Sequence, residues 1–330
     1  MGIDSTAMKG ETTDLERPLV TAIVPAYNAA AVVGRCVESL LAQTWPRVEI
    51  LLVDDGSTDG SAEWAVEKTR EEPHLRVVRL SRNFGHQFAI TAGMDRAVGD
   101  AVVVMDADLQ DPPEVIPELI AAWEGGSDVV YAVRRSREGE TWMKKFLAAG
   151  FYRVFHRLAK VNVPMDAGDF RLVSRRVVDA LKKMRELHRF MRGLTCWVGY
   201  KQSAVEYDRA ARFAGETKYP VWKSAKLAFD AITSFSASPL RWIALFGVGV
   251  CAVAGLWTLY VIWQAVFHPE VLQKGWASII AVLVFLGGVQ LVSIGLLGQY
   301  VSRIYEEGKG RPLYLVAQDT LEEGRGTGAP

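Results

Sequence analysis

The chain has 330 residues, half of them apolar, enough for one large α/β domain and further segments besides. Its 38 basic side chains balance 38 acidic ones, which argues against the basic surface on which a nucleic-acid binder collects phosphates. Cys36, Cys196 and Cys251 share no paired spacing and no histidine cluster accompanies them, so neither a zinc site nor a disulfide framework is expected.

Residues 1–17 form a polar tail without the apolar run of a signal peptide, so the domain that follows is expected to stay in the cytoplasm. From residue 18 short β-branched runs alternate with amphipathic segments, the pattern of a doubly wound, mostly parallel α/β sheet covered by helices. Strands are predicted at Val20 to Pro25, Val48 to Asp54, Arg76 to Leu80, Ala101 to Met105 and Asp128 to Val133. Between the first two, Val32, Val33, Cys36, Val37, Leu40 and Leu41 repeat at helical spacing and should lay one face on the sheet.

Residues 138–219 are less regular, with basic and aromatic side chains and a Gly-Asp-Phe-Arg turn expected at 168–171, and read as the second half of a domain ending at residue 218. Over residues 219–238, Trp222, Ala225, Phe229, Ile232 and Phe235 fall near one helical face, suiting a helix in the membrane interface or an ordinary surface helix. Ile243 to Phe267 and Trp276 to Tyr300 are each 25 residues without Asp, Glu, Lys or Arg, and predict two membrane spans within 239–302. Lys223, Lys226 and Arg241 precede them and Arg303, Lys309 and Arg311 follow, whereas the connecting loop has only Lys274. By the positive-inside rule both termini, including the tail 303–330, are then cytoplasmic and the protein is multi-pass in the plasma (inner) membrane. Gln290 and Gln299 inside the second span, with nearby glycines, point to helix packing or oligomer contacts.

In an open α/β sheet ligands sit beyond the carboxyl ends of the strands. Four such ends carry polar groups: Tyr27-Asn28, Asp54-Asp55-Gly56, Asn83-Phe84-Gly85 and Asp106-Ala107-Asp108. In VVVMDADLQDPPE a hydrophobic strand runs into Asp106 and Asp108, followed by Gln110 and a Pro-Pro that ends regular pairing. Hard oxygen ligands at this spacing suit Mg²⁺ or Mn²⁺ and leave positions open for a diphosphate. Asp54 and Asp55 can accept hydrogen bonds from a base NH or ribose hydroxyls, while Ser57, Thr58 and Asp59 serve the turn. Neither GxGxxG nor GxxxxGK[ST] is present.

The segments IVPAYNAA, VDDGSTDGS, SRNFGHQFAITAGMDRAVGD and MDADLQDPPE, in that order, resemble the family 2 glycosyltransferases. More narrowly they resemble the polyprenyl-phosphate glycosyltransferases related to dolichyl-phosphate mannose synthase and bactoprenol glucosyltransferases. The likeness continues through VRRSREGETWMKK, GDFRLVSR, RGLTCWVGYKQ, RAARFAGETKY, both apolar stretches and RIYEEGKGRPLYLV. It implies a GT-A fold and a hexosyltransferase that inverts the anomeric centre. The donor is a nucleotide-diphosphate sugar, UDP-glucose first, and the acceptor a polyisoprenyl phosphate; a homotetramer is also implied. Pro25, Tyr27, Asn28, Asp54, Asp55, Asn83, Gly85 and Asp106, with Arg212 and Lys218 of a mobile segment, would hold the nucleotide sugar. Asp106, Asp108 and Gln110 would hold the metal and diphosphate, and Arg134 with Lys144 or Lys145 the acceptor phosphate.

A lipid phosphate is anionic at neutral pH and hardly needs a general base, so positive charge matters more; Arg134, Lys144, Arg171, Arg212 and Lys218 can supply it. Asp169 reads either as a base or sugar ligand, or as a structural partner of a nearby arginine, and His86 as a phosphate contact or a loop residue. The alternatives are another lipid or glycan acceptor, or a catalytically silent nucleotide-sugar-binding membrane scaffold. Two spans leave no channel for a processive polymer synthase, and the intact acidic motif argues against a silent scaffold.

Overall fold

The structure, a computed structural model, describes residues 17–135, 167–208, 238–267 and 275–322. They fall into two compact units, one comprising the described residues up to 208 together with 312–322, the other residues 238–267 and 275–311.

The first unit is built on an eight-stranded mixed sheet of order β7-β5-β6-β4-β1-β2-β3-β8. Its strands are β1 (Val20–Ala26), β2 (Val48–Asp54), β3 (Leu75–Leu80), β4 (Ala101–Val104), β5 (Val129–Arg134), β6 (Ala167–Ser174), β7 (Gln202–Tyr207) and β8 (Val316–Asp319). The helices are α1 (Val33–Leu41), α2 (Ser61–Lys68), α3 (His86–Arg96), α4 (Ile116–Glu124), α5 (Arg175–Lys183) and α6 (Met191–Trp197). β1 is buried along its whole length and β4 likewise, because helices cover both faces of the central strands; hence their unbroken apolar runs. Val20, Ala22, Val24 and Ala26 share a core cluster with Val33, Cys36, Val37 and Leu40 of α1 and Ile116, Leu119 and Ile120 of α4. This accounts for the helical spacing noted above.

The five predicted strands are present within a residue at each end and all run the same way, as a mostly parallel sheet requires; the antiparallel members are strands not predicted, β6 and β8. β1, β2, β3 and β4 pair parallel, as do β5 and β7, whereas β6 inserts antiparallel between β4 and β5. Residues 168–171 therefore form a strand, not the expected turn. Phe170 and Leu172 join the core cluster on one face, while Arg171 lies buried on the other at 2% exposure. Because β6 runs opposite to its neighbours, its first residues reach the edge where β4 and β5 end.

β8 lies in the segment read from sequence as a tail. It pairs antiparallel with β3, and a side-chain lock holds it. Arg96 Nε donates to Asp319 Oδ2 at 2.7 Å, Arg96 Nη1 donates to Tyr314 Oη at 3.1 Å, and Tyr314 Oη donates to Asp95 Oδ2 at 2.7 Å.

The second unit contains α7 (Ser238–Phe267, 30 residues) and α8 (Trp276–Gly308, 33 residues). Among the described residues one stretch is both long and apolar enough to cross a membrane, Phe285–Gly308, and Trp242–Trp257 is a shorter apolar stretch. Trp257, Tyr260, Trp263 and Phe267 form a ladder of rings along α7, successive centroids lying 5.6, 6.3 and 5.9 Å apart. The interfacial helix expected at 219–238 falls, apart from Ser238, outside the described residues.

Replacing Asp319 with Ala removes the acid of a largely buried ion pair and should cost about 1–3 kcal/mol of stability. The expected result is a melting temperature several degrees lower for the detergent-solubilised protein; an unchanged melt would show that the lock does not hold β8.

Candidate active site

β1, β2, β3 and β4 are mutually parallel and β5 and β7 run the same way, so their carboxyl ends, with the start of β6, gather at one edge of the sheet. Two clusters form there.

The first lies beyond β1, β2 and β3. Asp54 is 1% exposed; its Oδ2 accepts from Ser57 N at 3.1 Å and lies 3.7 Å from Arg79 Nε, while its Oδ1 is buried without a hydrogen-bond partner. Asp55 is differently employed. Its Oδ1 accepts from Phe84 N at 2.8 Å and its Oδ2 from Gly85 N at 2.9 Å, so both oxygens fasten the 83–85 loop. Burial raises the Asp55 carboxyl above its usual value, against the pull of these two amides. Asn28, with φ of +48°, donates its backbone N–H to Ser57 Oγ at 2.9 Å and accepts from Thr58 N at its Oδ1 at 2.9 Å. Gly56 is required at its position: φ is +73°, and an added Cβ would lie 2.4 Å from the Arg82 carbonyl carbon. Asp59 serves the turn as expected, accepting from Ser61 N and Ala30 N. Pro25 is buried within β1, whereas Tyr27 is 51% exposed at the loop that follows.

The second cluster is acidic and lies beyond β4. Asp106 and Asp108 are partly exposed, while Gln110 and Asp111 are buried. Leu109 takes φ of +56°, a conformation that costs a branched residue about 1 kcal/mol or more, and Asp108 Oδ1 accepts from Gln110 N at 3.1 Å across this reversal. Gln110 Oε1 and Asp106 Oδ1 are buried without hydrogen-bond partners. Burial pushes the Asp106 carboxyl up to about 6; His86 opposes the rise, and Asp169, Asp111 and Asp108 add to it.

His86, at the start of α3, joins this cluster to β6. Its Nε2 lies 3.5 Å from Asp106 Oδ1 and 3.4 Å from Asp169 Oδ2. Burial alone would lower the imidazole pKa, but the carboxylates of Asp169 and Asp106 outweigh it and raise the value. Arg192 of α6 grips Asp169 with two bonds, Nε to Oδ1 at 3.0 Å and Nη2 to Oδ2 at 3.1 Å. Arg171 Nη2 adds a contact to Oδ1 at 3.2 Å. Burial favours the neutral acid, yet these partners hold the Asp169 carboxyl well below the usual carboxylate range.

Arg171 is enclosed. Its Nε donates to Asp169 O at 3.1 Å, its Nη1 to Thr195 Oγ1 at 2.6 Å and Met191 O at 3.5 Å, and its Nη2 to Gly168 O at 2.8 Å. It braces the start of β6 against α6. Arg134, at the end of β5, is partly exposed: its Nε donates to Tyr207 Oη at 3.4 Å, and Tyr207 Oη in turn donates to Asp111 Oδ1.

Asp106, Asp108, Gln110, Asp169, Arg171 and Arg134 thus meet in one region, and Tyr27, Asn28, Asp54, Asp55, Asn83 and Gly85 belong to the neighbouring loops. Lys144, Lys145, Arg212 and Lys218 lie outside the described residues. Arg192 and Tyr207 were not singled out from sequence; both sit in the segments RGLTCWVGYKQ and SAVEYDRA, where only tertiary contact gives them a role. Among the described residues no three His, Cys, Asp or Glu side chains converge as a metal cage. The donor set nevertheless fits a hard cation: two carboxylates and the amide oxygen of Gln110, of which Asp106 Oδ1 and Gln110 Oε1 are buried without hydrogen-bond partners.

The sequence profile of glycosyl transferase family 2 matches residues 21–182, and that of the GtrB C-terminal hairpin matches residues 238–304. The chain is 46% identical over 297 residues to the uncharacterized glycosyltransferase YkcC of Bacillus subtilis (strain 168), spanning 89% of this chain and 92% of that one. It is 39% identical over 306 residues to the bactoprenol glucosyl transferase of Shigella phage SfV, spanning 91% of this chain and 98% of that one. Among solved structures it is similar to the mannosyltransferase PcManGT of Pyrobaculum calidifontis in complex with GDP-Man and Mn²⁺, at 20% identity and a TM-score of 0.44, covering 85% of this chain and 88% of that one. At that score the likeness carries no functional weight.

Arg171→Lys keeps the charge but cannot reproduce five directed donors in a buried fork, and should destabilise the protein by about 2–4 kcal/mol. Chaotrope unfolding of the purified protein measures this; a loss below about 0.5 kcal/mol would contradict the bracing role.

Proposed function

The chain belongs to glycosyl transferase family 2, and on that premise we propose that it moves a hexose, glucose first, from a nucleoside diphosphate to a polyisoprenyl phosphate at the cytoplasmic face of a membrane. The observation that carries the reading is the acidic edge of the sheet, where Asp54 Oδ1, Asp106 Oδ1 and Gln110 Oε1 are buried without hydrogen-bond partners. Three unsatisfied oxygens among residues aimed at one edge are costly unless a ligand supplies donors or positive charge.

Each residue has a role that its surroundings support. Asp54 accepts from the base or ribose, and Tyr27 offers an exposed ring beside it. Asp55 and Asn28, whose side chains are committed to protein amides, position the loops instead of touching the nucleotide directly. Asp106, Asp108 and Gln110 would hold a Mg²⁺ or Mn²⁺, which when bound supplies positive charge to the departing diphosphate. Asp169, gripped by Arg192 and Arg171 and kept ionised, is a positioning group and a poor proton acceptor. No base is needed, because a phosphate monoester is already an anionic nucleophile and attacks the anomeric carbon opposite the leaving diphosphate, inverting it. Arg134 provides positive charge where the two anions approach, while Arg192 and the enclosed Arg171 act by holding Asp169 and, for Arg171, Gly168.

The membrane assignment draws on the match to the C-terminal hairpin family and on α7 and α8, read as two spans. The ring ladder of α7 suits the interface belt at the end of a span, and Arg303, Lys309 and Arg311 follow α8's apolar part on the cytoplasmic side. The carrier lipid is favoured by a 39% identical relative named for glucosylating bactoprenol.

Membranes containing the protein, incubated with undecaprenyl phosphate, Mg²⁺ and radiolabelled nucleotide sugars, should incorporate label from one donor into the lipid phase. Asp108→Asn should reduce incorporation by on the order of 10²–10³-fold with little change in melting temperature. Absence of label from every donor, or retained turnover in the variant, would overturn the assignment.

A further inference from the structure

Beyond β5, β7 and β4 stands a three-residue arrangement of which the reaction as described uses only Arg134. Arg134 and Tyr207 are register partners at the ends of the parallel pair β5–β7, and Asp111 comes from the loop after β4. Tyr207 is 3% exposed and packs edge-on against Phe170, ring centroids 5.8 Å apart at 88°, which fixes where its oxygen lies. That oxygen donates to Asp111 Oδ1 and accepts from Arg134 Nε at 3.4 Å. Arg134 Nη2 stays 4.0 Å from the same Asp111 oxygen. On its other side Nη2 faces Gly168, where an added Cβ would lie 3.3 Å away, a tight contact that would press on the guanidinium.

The electrostatics of this arrangement are unusual for an arginine beside a buried aspartate. Asp111 is 1% exposed, and a bare carboxylate there would draw Arg134 into a direct ion pair and cancel its charge. The phenol instead satisfies the Asp111 oxygen with its own proton and presents its lone pair to Nε. The guanidinium is thereby oriented and partly exposed, and its ion pair with Asp111 is held at a long 4.0 Å.

The geometry points to Tyr207 as a positioning residue that keeps the Arg134–Asp111 ion pair long and aims Arg134 at the phosphate of the acceptor. This rests on the reading of the acceptor as a lipid phosphate. Its substance is the single hydroxyl: a phenylalanine would keep the ring and its packing on Phe170 and lose only the atom that intervenes between Arg134 and Asp111.

Steady-state kinetics of the full-length protein in detergent, varying undecaprenyl phosphate and donor separately, test it. Tyr207→Phe should raise the acceptor KM by about 5–10-fold, the loss of one hydrogen bond to a charged group. Donor KM should stay within about twofold and the melting temperature should be unchanged, which a merely structural hydroxyl would not produce. Arg134→Lys keeps the charge but lacks the Nε that Tyr207 holds, and should show the same split; combined with Tyr207→Phe it should add little. This second variant carries the test if the first fails to fold. An acceptor KM unchanged in Tyr207→Phe while Arg134→Ala raises it tenfold or more would overturn the role of Tyr207. An acceptor KM unchanged in Arg134→Ala itself would overturn the acceptor reading, and the positioning role with it. Equal rises in both KM values accompanied by a lower melt would reduce Tyr207 to a packing residue.

Discussion

Asp169 is a carboxylate almost out of reach of water, held between two arginines and a histidine, and the acidic edge of the sheet depends on it. Asp106, Asp108 and Asp111 stand within the same region, and so many like charges repel unless cations are interleaved among them. Arg171 and Arg192 neutralise Asp169, which lets His86 reach across to Asp106. Arg171 simultaneously fixes the opening residues of β6 through the Gly168 and Asp169 carbonyls and ties them to α6 at Thr195. One buried fork thus sets the position of an antiparallel strand, a helix and a catalytic-edge carboxylate together. Breaking such a group from one side leaves an uncompensated charge, which explains why it is built from several partners and not from a single pair.

The edge beyond β1, β2 and β3 is organised by a different device. There the loops after β1, β2 and β3 are laced by side chain to backbone bonds: Asn28 to Thr58, Ser57 to Asn28, Asp55 to Phe84 and Gly85. Each loop is short of internal partners and borrows from the next, so the edge is held in register before any ligand arrives. Of the acidic pair where β2 ends, Asp55 is consumed in this work and Asp54 retains an unpartnered oxygen. Two adjacent aspartates with the same sequence context are therefore differently engaged: both oxygens of one are bonded to a neighbouring loop, and one oxygen of the other is left without a hydrogen bond.

Much of this was legible from sequence wherever the signal was local. The central strands announce themselves as unbroken apolar runs because they are covered on both faces, and Asp106, Asp108 and Gln110 stand together within five residues. From sequence β6 reads as a turn because Gly168, Asp169 and Arg171 look like loop residues; only the tertiary fork makes a buried strand of them. β8 carries the unremarkable run Val-Ala-Gln-Asp, and its place at the sheet edge is decided by Arg96 and Asp319, far apart in the chain. Arg192 and Tyr207 gain their roles only in the fold, because their partners come from β6 and from the loop after β4.

The central claim is that the acidic edge is a site for a nucleoside diphosphate sugar whose charge is balanced by a divalent cation. Calorimetric titration of the purified protein with UDP-glucose and with GDP-mannose, in Mn²⁺ and again in excess chelator, tests it most directly. The account predicts saturable binding of one donor that needs the cation and is lost in Asp106→Asn without a fall in melting temperature; binding of equal strength with the cation removed would contradict it.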